Sequence, residues 1–189
     1  MKSIAVFCGA NDGARPAYVD AAREVGVRLG ARKLGLIYGG GGTGMMGALA
    51  DAALAAGASV VGVMPEPLVR GEVAHRGISE LRVVATMHER KSAMYDLADG
   101  FVILPGGIGT MDELFEVLVW LHLGYHRKPV GLLDVEGFFD RLIDFLDHME
   151  GERFLRASVR ELVLVERDVD RLLAGMAAFV PPPLPAFMR

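Results

Sequence analysis

Residues 34–44 read LGLIYGGGGTG, a short run of aliphatic and aromatic residues that ends in a cluster of glycines. Residues 101–110 repeat this pattern as FVILPGGIGT. In each stretch an apolar run of strand length leads into glycines, and a helical pattern follows. The apolar runs lack the alternating polar residues of a half-exposed sheet, as is typical of parallel strands covered by helices on both faces. The two stretches therefore predict strand, glycine loop and helix units of an α/β fold.

The rest of the chain continues this alternation of short β-rich runs and longer helical runs. The predicted strands are residues 4–8, 34–38, 59–64, 81–85, 101–104 and 130–133. The predicted helices are residues 16–32, 44–56, 87–98, 110–123 and 137–148. Two weaker candidates are an extra edge strand at 162–165 and a last helix at 168–179. The pattern predicts a parallel sheet with helices on both faces.

Length, charge and cysteine content narrow the class of protein. The 189 residues suit one hydrophobic core, which we expect over 1–180, with a proline-rich tail at 181–189. Lys and Arg number 20 against 24 Asp and Glu, and this net charge of -4 argues against a sequence-independent hold on nucleic acid. The single cysteine, Cys8, lies in an apolar run and indicates a reducing cytoplasm. Residues 44–64 have the length of a membrane span, but Gly-Ala-Ser at 57–59 divides them into helix and strand, so we expect no span.

The two glycine loops are expected to bind an anionic ligand. Glycines let the backbone approach a phosphate closely, and the free N–H groups of the following helix are matched donors. Both loops fall at the carboxyl ends of predicted strands, where open parallel sheets bind their ligands. Neither loop is a GxxxxGK[ST] phosphate loop, because no lysine follows the glycines. Gly39, Gly41 and Gly44 match the dinucleotide fingerprint, but they follow the second strand and lack an acidic residue about 20 positions on.

The start of the helix after the second loop, Thr110-Met111-Asp112-Glu113, has two interpretations. Thr-x-x-Glu is a capping box, in which Thr110 and Glu113 satisfy amide donors at the helix start. Alternatively, Glu113 faces the position where the loop would place a phosphorylated sugar. Glu113 shares one helical face with Glu116 and Trp120, so this face is not plain core. An acidic pair beside an aromatic residue is equally compatible with a subunit contact.

The segment MHERKSAM at 87–94 places a charged residue on an apolar face. One helical stripe carries Met87, Arg90, Met94 and Leu97. A charged side chain in such a stripe usually has a partner, although a long arginine can also reach solvent with its head group. Lys91 lies about 100 degrees further round the helix, where a solvated side chain is the competing interpretation.

These motifs resemble those of the LOG (Lonely Guy) family, the cytokinin riboside 5'-monophosphate phosphoribohydrolases, which were long mislabelled as lysine decarboxylases. Residues 105–113 read PGGIGTMDE and fit the family pattern PGGxGTxxE, and residues 87–91 read MHERK. Supporting matches lie at 38–47, 72–80 and 8–9. The similarity extends from about residue 3 to residue 148 and so covers nearly the whole predicted domain.

The resemblance implies a Rossmann-like three-layer α/β fold with a mostly parallel central sheet and a homodimeric or larger assembly. It implies hydrolysis of N6-substituted adenosine monophosphates to the free base and ribose 5-phosphate, with no cofactor. It also implies that Arg90 and Glu113 are catalytic. The residues implied to bind the substrate are Glu72, Lys91, Gly41, Gly42, Thr43, Gly106, Gly107, Ile108, Gly109 and Thr110. Val119 stands where many plant members have threonine, which leaves the identity of the base open.

Other functions remain to be compared with this one. A non-catalytic nucleotide-binding or carrier module would keep the phosphate loops and release no base. Lysine decarboxylation would need pyridoxal phosphate on a Schiff-base lysine, and of the four lysines only Lys91 lies near the motifs. His122 and His126 are four residues apart without an evident third ligand, so we expect no metal site. The apolar residues expected at a subunit contact are Trp120, Leu121 and Leu123.

Overall fold

The chain folds around a parallel sheet, as a computed structural model that describes residues 1–70 and 73–183 shows. The strands are β1 (Ser3–Phe7), β2 (Gly35–Tyr38), β3 (Val60–Pro65), β4 (Glu80–Val84), β5 (Phe101–Ile103), β6 (Val130–Leu133) and β7 (Val163–Glu166). The helices are α1 (Pro16–Ala31), α2 (Gly44–Ala55), α3 (Glu66–Arg70), α4 (Met87–Leu97), α5 (Ile108–Leu123), α6 (Asp140–Gly151), α7 (Ala157–Arg160) and α8 (Val169–Ala177). The predicted strands and helices are confirmed, with bounds that differ by at most three residues.

The order of the strands creates a crevice in the middle of the sheet. The seven strands are arranged β4-β3-β2-β1-β5-β6-β7, and every neighbouring pair is parallel. The chain winds outward from β1 to β4, returns to β5 beside β1, and winds outward again to β7. The direction of winding reverses between β1 and β5, where ligands of open α/β sheets bind. The two glycine loops follow β2 and β5 and therefore lie at this crevice.

Two hydrophobic clusters fill the space between the sheet and its two helical layers. Along β1, Ile4 and Val6 point into one cluster, whereas Ala5 and Phe7 point into the other. This alternation follows from the period of two in a strand. The first cluster packs against α1, α2 and α8, and the second packs against α4 and α5. The arrangement is the predicted Rossmann-like three-layer fold.

The start of α6 differs from the sequence-based expectation. Residues 135–137 form a short 3-10 helix, and α6 begins only at Asp140. Glu136 and Gly137 have φ values of 51° and 73°, in the left-handed region that a right-handed helix cannot include. The helical pattern that starts at Gly137 is therefore interrupted by the backbone before the regular helix begins.

The apolar stretch 44–64 is divided between α2 and β3, as its internal glycine predicted. Within residues 1–70 and 73–183, we find no helix that combines the length and the apolarity needed to cross a membrane. Of the proline-rich tail, residues 184–189 lie outside the described part of the chain.

We expect Phe101→Ala to lower the free energy of unfolding by about 3 to 5 kcal/mol, because it empties a fully buried site. The ring of Phe101 stacks between Phe7 and Tyr95, with centroid distances of 6.0 Å on each side. Urea unfolding followed by circular dichroism measures the change. Phe154 is 88% exposed, so Phe154→Ala is a control that should stay within about 0.5 kcal/mol of the parent. Equal losses in the two variants would contradict the assigned core.

Candidate active site

A cavity of about 840 Å³ opens at the crevice between β1 and β5. Its polar wall consists of the loops that follow three central strands. The loop residues in this wall are Cys8, Gly9, Ala10, Asn11, Gly39, Gly41, Thr43, Pro105, Gly106 and Gly107, and the first turn of α5 adds Gly109 and Thr110. Its other wall is mainly apolar and contains Tyr18, Met45, Met46, Met64, Leu68, Val73 and Phe138. Arg90 and Glu113 also line the cavity.

Arg90 and Glu113 form an ion pair inside this cavity. The Arg90 guanidinium, on α4, donates from Nη1 to Oε1 of Glu113, on α5, over 3.1 Å. Its Nε donates to the carbonyl of Val63 at the end of β3, also over 3.1 Å. The two side chains are only 13% and 9% exposed. Arg90 therefore has the partner that its apolar stripe predicted, and the alternative of a head group in solvent is wrong.

Gly39, the first residue after β2, makes room for this pair. A Cβ atom added at Gly39 would collide with Nη2 of Arg90. The guanidinium thus lies directly against the backbone of the first glycine loop, a close approach that only glycine allows. The sequence pattern identified the glycines as a phosphate site but did not predict this contact, because it joins residues 51 positions apart.

Burial makes the Glu113 carboxyl an unusually weak acid. Desolvation raises the pKa of its carboxyl to about 7, and this effect outweighs the opposing attraction of Arg90. The neighbouring carboxylates of Asp112 and Glu116 add to the increase, whereas Lys91 reduces it. A carboxyl with a pKa near neutrality can exchange a proton at physiological pH, which is the property that acid and base catalysis requires.

The helix α5 begins earlier than predicted and leaves its first amides unpaired. It starts at Ile108 with Gly107 as N-cap, and no side chain caps it. Thr110 is therefore the third helical residue, packed against Gly106, and the capping box proposed for Thr110 and Glu113 is wrong. The first turn of a helix has N–H groups without intrahelical partners, and its dipole favours anions. Gly107, Gly109 and Thr110 line the cavity, so this helix start is placed to bind a phosphate.

Two glycines at this helix start are not required by the fold itself. A Cβ atom added at Gly107 or Gly109 would meet no other atom within 4 Å. The backbone at both positions also has negative φ, which any residue can adopt. The absent side chains instead keep open the space beside the amides, as expected where a ligand approaches the backbone closely.

A capping box does exist, but at the start of α4. The N–H of Glu89 donates to Oγ1 of Thr86 over 3.1 Å, and the carboxylate of Glu89 accepts from the N–H of Ala85 over 2.9 Å. The pattern Thr86-x-x-Glu89 is the sequence signature of such a capping box. The capped start fixes the position of α4 immediately before Arg90.

Lys91 lies next to the cavity without lining it. Its Nζ forms ion pairs with Glu116 and Asp112 on α5, at 2.9 and 3.1 Å, so the solvated interpretation is wrong. Burial alone would lower the pKa of Lys91, but the hydrogen bonds to the two carboxylates outweigh it and raise the pKa. Lys91 thus stays an ammonium ion that joins α4 to α5, whereas a Schiff-base lysine must lose its proton.

Of the other predicted binding residues, some line the cavity and others do not. Gly41 and Thr43 line the cavity. Gly42 does not, and its N–H donates to the carbonyl of Val73 over 2.9 Å. Ile108 is 90% exposed and does not line the cavity. Glu72 lies outside the described residues.

The apolar wall of the cavity was not found from the sequence. Tyr18, on α1, and Phe138, before α6, form an edge-to-face pair with ring centroids 5.6 Å apart. They are 120 residues apart in the chain, so no local pattern connects them. The wall gives the cavity an apolar surface large enough to cover a flat base.

His122 and His126 do not form a metal site. His126 is buried, with Nε2 donating to the carbonyl of Val117 and Nδ1 accepting from the N–H of Lys128. Burial lowers the pKa of His126 to about 4, so the ring is neutral. Across residues 1–70 and 73–183, no group of three or more His, Cys, Asp or Glu side chains is placed to hold a metal ion.

The fold and the cavity together define a Rossmann-like protein that presents free helix-start amides and a buried arginine–carboxylate pair to one ligand. Residues 46–176 match the family model described as "possible lysine decarboxylase". A probable cytokinin riboside 5'-monophosphate phosphoribohydrolase of Oryza sativa subsp. japonica is 44% identical over 96% of this chain and 80% of its own length. The cytokinin riboside 5'-monophosphate phosphoribohydrolase of Rhodococcoides fascians is 44% identical over 93% of this chain and 89% of its own length. The chain belongs to this family, the LOG family.

Solved structures show the same fold in more distant proteins. The molybdenum cofactor binding protein of Rippkaea orientalis has a TM-score of 0.71 at 18% identity, over 94% of this chain and 97% of that one. The molybdenum cofactor carrier protein of Chlamydomonas reinhardtii has a TM-score of 0.68 at 20% identity, over 93% and 96%. At these identities the likeness concerns the fold alone.

We expect Arg90→Leu to raise the pKa of Glu113 further, by roughly one unit or more, because it removes the opposing positive charge. Carbon-13 NMR titration of the glutamate carboxyls measures this change. Arg15→Leu is the control, since Arg15 pairs with Glu136 on the surface and should leave the Glu113 titration unchanged. A Glu113 pKa that is the same with and without Arg90 would show that the pair is not formed in solution.

Proposed function

We propose that the chain hydrolyses the N-glycosidic bond of adenosine 5'-monophosphates, including N6-substituted ones, and releases the free base and ribose 5-phosphate. The observation that carries this proposal is the buried Arg90–Glu113 pair in the same cavity as the unpaired amides of α5. Relatives that are 41 to 44% identical are named for this phosphoribohydrolase activity, which supports the proposal.

Glu113 is positioned to assist the bond cleavage. As the bond from the ribose C1' to the base nitrogen breaks, the base leaves with the electron pair and positive charge develops on the sugar. A carboxylate in a water-poor cavity stabilises this charge far better than one in bulk water. Glu113 also accepts a proton from the water molecule whose oxygen bonds to C1' and returns it to the departing base nitrogen, so that the neutral base is released and the carboxylate is regenerated. We assign this combined role to Glu113 in its ionised form.

Arg90 keeps Glu113 available for that role. The charge of the guanidinium opposes the effect of burial, so that part of Glu113 is ionised near pH 7. Its second hydrogen bond, to Val63, fixes the direction in which Nη1 points. The remaining guanidinium nitrogen, Nη2, lies against Gly39 and is available to a substrate oxygen.

The 5'-phosphate fits the start of α5. The backbone amides of Gly107, Ile108, Gly109 and Thr110 form one side of its proposed site, which Gly106 adjoins, and Gly41 and Thr43 form the other. Lys91 acts in this proposal through the α5 carboxylates that it holds. Glu72 keeps the binding role that the family resemblance implies.

We expect Glu113→Gln to lower kcat by about a thousandfold while the protein still binds AMP, because the amide can neither accept a proton nor carry the stabilising charge. Chromatographic detection of adenine measures kcat, and calorimetry measures binding. Glu24→Gln is the matched control: Glu24 is a largely exposed carboxylate on α1 that pairs with Arg28, and its variant should stay within about threefold.

Either of two outcomes would contradict this assignment. Near-normal turnover by the folded Glu113→Gln variant would remove Glu113 from the chemistry. Binding of AMP and of isopentenyladenosine monophosphate by the wild type, with no base released from either, would favour the non-catalytic nucleotide-binding or carrier module.

We expect Gly109→Ala to raise the KM for AMP by about tenfold without loss of stability. The added methyl group meets no protein atom, and alanine favours the helix, but the methyl group occupies the space beside the phosphate. Steady-state kinetics and thermal melting measure the two effects. Gly151→Ala is the matched control, because Gly151 is also in a helix with open space around it but lies outside the cavity. An unchanged KM in Gly109→Ala would mean that the phosphate binds elsewhere.

We also propose that the chain forms a homodimer through the exposed side of α4 and α5. Of the residues expected at this contact, Leu121 is buried in the core, whereas Leu123 and Trp120, whose ring packs on Tyr95 with centroids 5.0 Å apart, are half-buried and remain part of the proposal. Beyond its first residue, Ile108, α5 exposes the apolar side chains of Phe115 and Val119. Met87 adds an exposed apolar side chain at the start of α4. Such a surface is typical of a protein contact.

Sedimentation equilibrium is expected to give twice the chain mass of 20.3 kDa. Val119→Asp should shift the protein toward monomer, because it places a charge in the proposed contact. Val27→Asp is the control, since Val27 is similarly exposed but lies on α1. A monomeric wild type would refute the homodimer.

We propose that this enzyme is located in the cytoplasm. The chain has one cysteine, Cys8, which is a free and buried thiol. Burial raises the pKa of the Cys8 thiol and keeps it protonated and unreactive. A protein that uses no disulfide and acts on a phosphorylated nucleotide suits a reducing compartment.

A further inference from the structure

A short segment between α3 and β4 lies against the first glycine loop. We call residues 73–77 the strap. The N–H of Gly42 donates to the carbonyl of Val73 over 2.9 Å, and the N–H of His75 donates to the carbonyl of Gly40 over 2.8 Å. Between these bonds, Gly41 and Ala74 pair in antiparallel fashion. The strap therefore holds the loop as a two-stranded ribbon.

The side chain of His75 attaches the strap to α2. Its Nδ1 accepts from the N–H of Gly77 over 3.0 Å, and its Nε2 lies 2.9 Å from Oδ1 of Asp51. Because Nδ1 is an acceptor, a neutral ring carries its proton on Nε2 and donates it to the Asp51 carboxylate. The His75 side chain is only 13% exposed, whereas Asp51 is largely exposed on α2. The ring thus joins the strap to the helix that follows the loop.

The loop needs such a restraint because residues 39–42 are four consecutive glycines. Glycine loses more conformational freedom on ordering than any other residue. A loop that is ordered before the substrate arrives does not lose this freedom on binding, so affinity improves. The described hydrogen bonds that hold Gly40 and Gly42 to the strap are the two backbone bonds, and His75 fixes the strap that supplies them.

We propose that His75 is a positioning residue for the reaction, which acts through Asp51 and the strap to keep the first glycine loop in its binding conformation. It does not touch the substrate cavity. This inference rests on the proposed function, because it assigns Gly41 and Thr43 to the substrate. The Arg90–Glu113 pair is anchored by Val63 and meets the loop at Gly39, outside the two glycines that the strap holds, so the strap should affect substrate binding more than the chemical step.

Two substitutions of His75 separate its two hydrogen bonds. The amide nitrogen of glutamine reaches about as far as Nε2 and can still donate to Asp51, whereas the shorter asparagine can accept only from Gly77. We expect His75→Asn to raise the KM for AMP by about tenfold with kcat within about threefold. His75→Gln should restore KM to within about threefold of the wild type.

The partner residue provides an independent test with little risk to folding. Asp51→Ala removes an exposed side chain and should raise KM as His75→Asn does. The double variant should show no further increase, because both changes break one interaction. Asp20→Ala on α1 is the control, since Asp20 is an exposed carboxylate that pairs only with Arg23 among the described residues. Melting temperatures are measured on the same samples.

A KM within twofold of the wild type in both His75→Asn and Asp51→Ala would overturn the proposal, even if the melting temperature falls. If the wild type binds AMP but releases no base, the proposed function fails, and calorimetry replaces kinetics in the test of the strap. The same tenfold loss, measured as Kd, would then support the positioning role, and an unchanged Kd would refute it. A wild type that does not bind AMP would refute both.

Discussion

The site depends on the ion pair between Arg90 and Glu113, which joins two helices at the centre of the sheet. Removing two charges from water is costly, and their attraction alone seldom compensates for that cost. The pair is retained because its surroundings satisfy it: Val63 accepts a further hydrogen bond, and Gly39 leaves room for the guanidinium. Lys91 bridges the same two helices and fixes their spacing.

The buried pair is not the arrangement that stability alone would favour. A core designed for stability alone would place apolar side chains at these two positions, as buried ion pairs are often no better than hydrophobic replacements. Here burial raises the pKa of Glu113 to about 7, which provides a group that can take up and release a proton near neutrality. The start of α5 lines the same cavity, and in the proposed function one binding event brings the phosphorylated substrate to this carboxyl.

The sequence predicted the features that are local in the chain and missed those that join distant residues. Strands and helices follow from hydrophobic periodicity, and the apolar stripe around Arg90 predicted that this residue needs a partner. The contact of Gly39 with Arg90 and the apolar wall at Phe138 are tertiary and leave no local signal. The pattern Thr-x-x-Glu occurs at 86–89 and 110–113, but only the first is a cap, because α5 already starts after Gly107.

The pH dependence of kcat/KM for AMP tests the role of Glu113 most directly. In its proposed role Glu113 acts as a carboxylate, and burial raises its pKa to about 7, so kcat/KM should rise about tenfold per unit below pH 7 and become constant above it. The phosphate of the substrate titrates about one unit lower, so the midpoint of the curve distinguishes the two groups. A kcat/KM that is constant across this range, or that falls as the pH rises through 7, would contradict the assignment of Glu113 as the catalytic carboxylate.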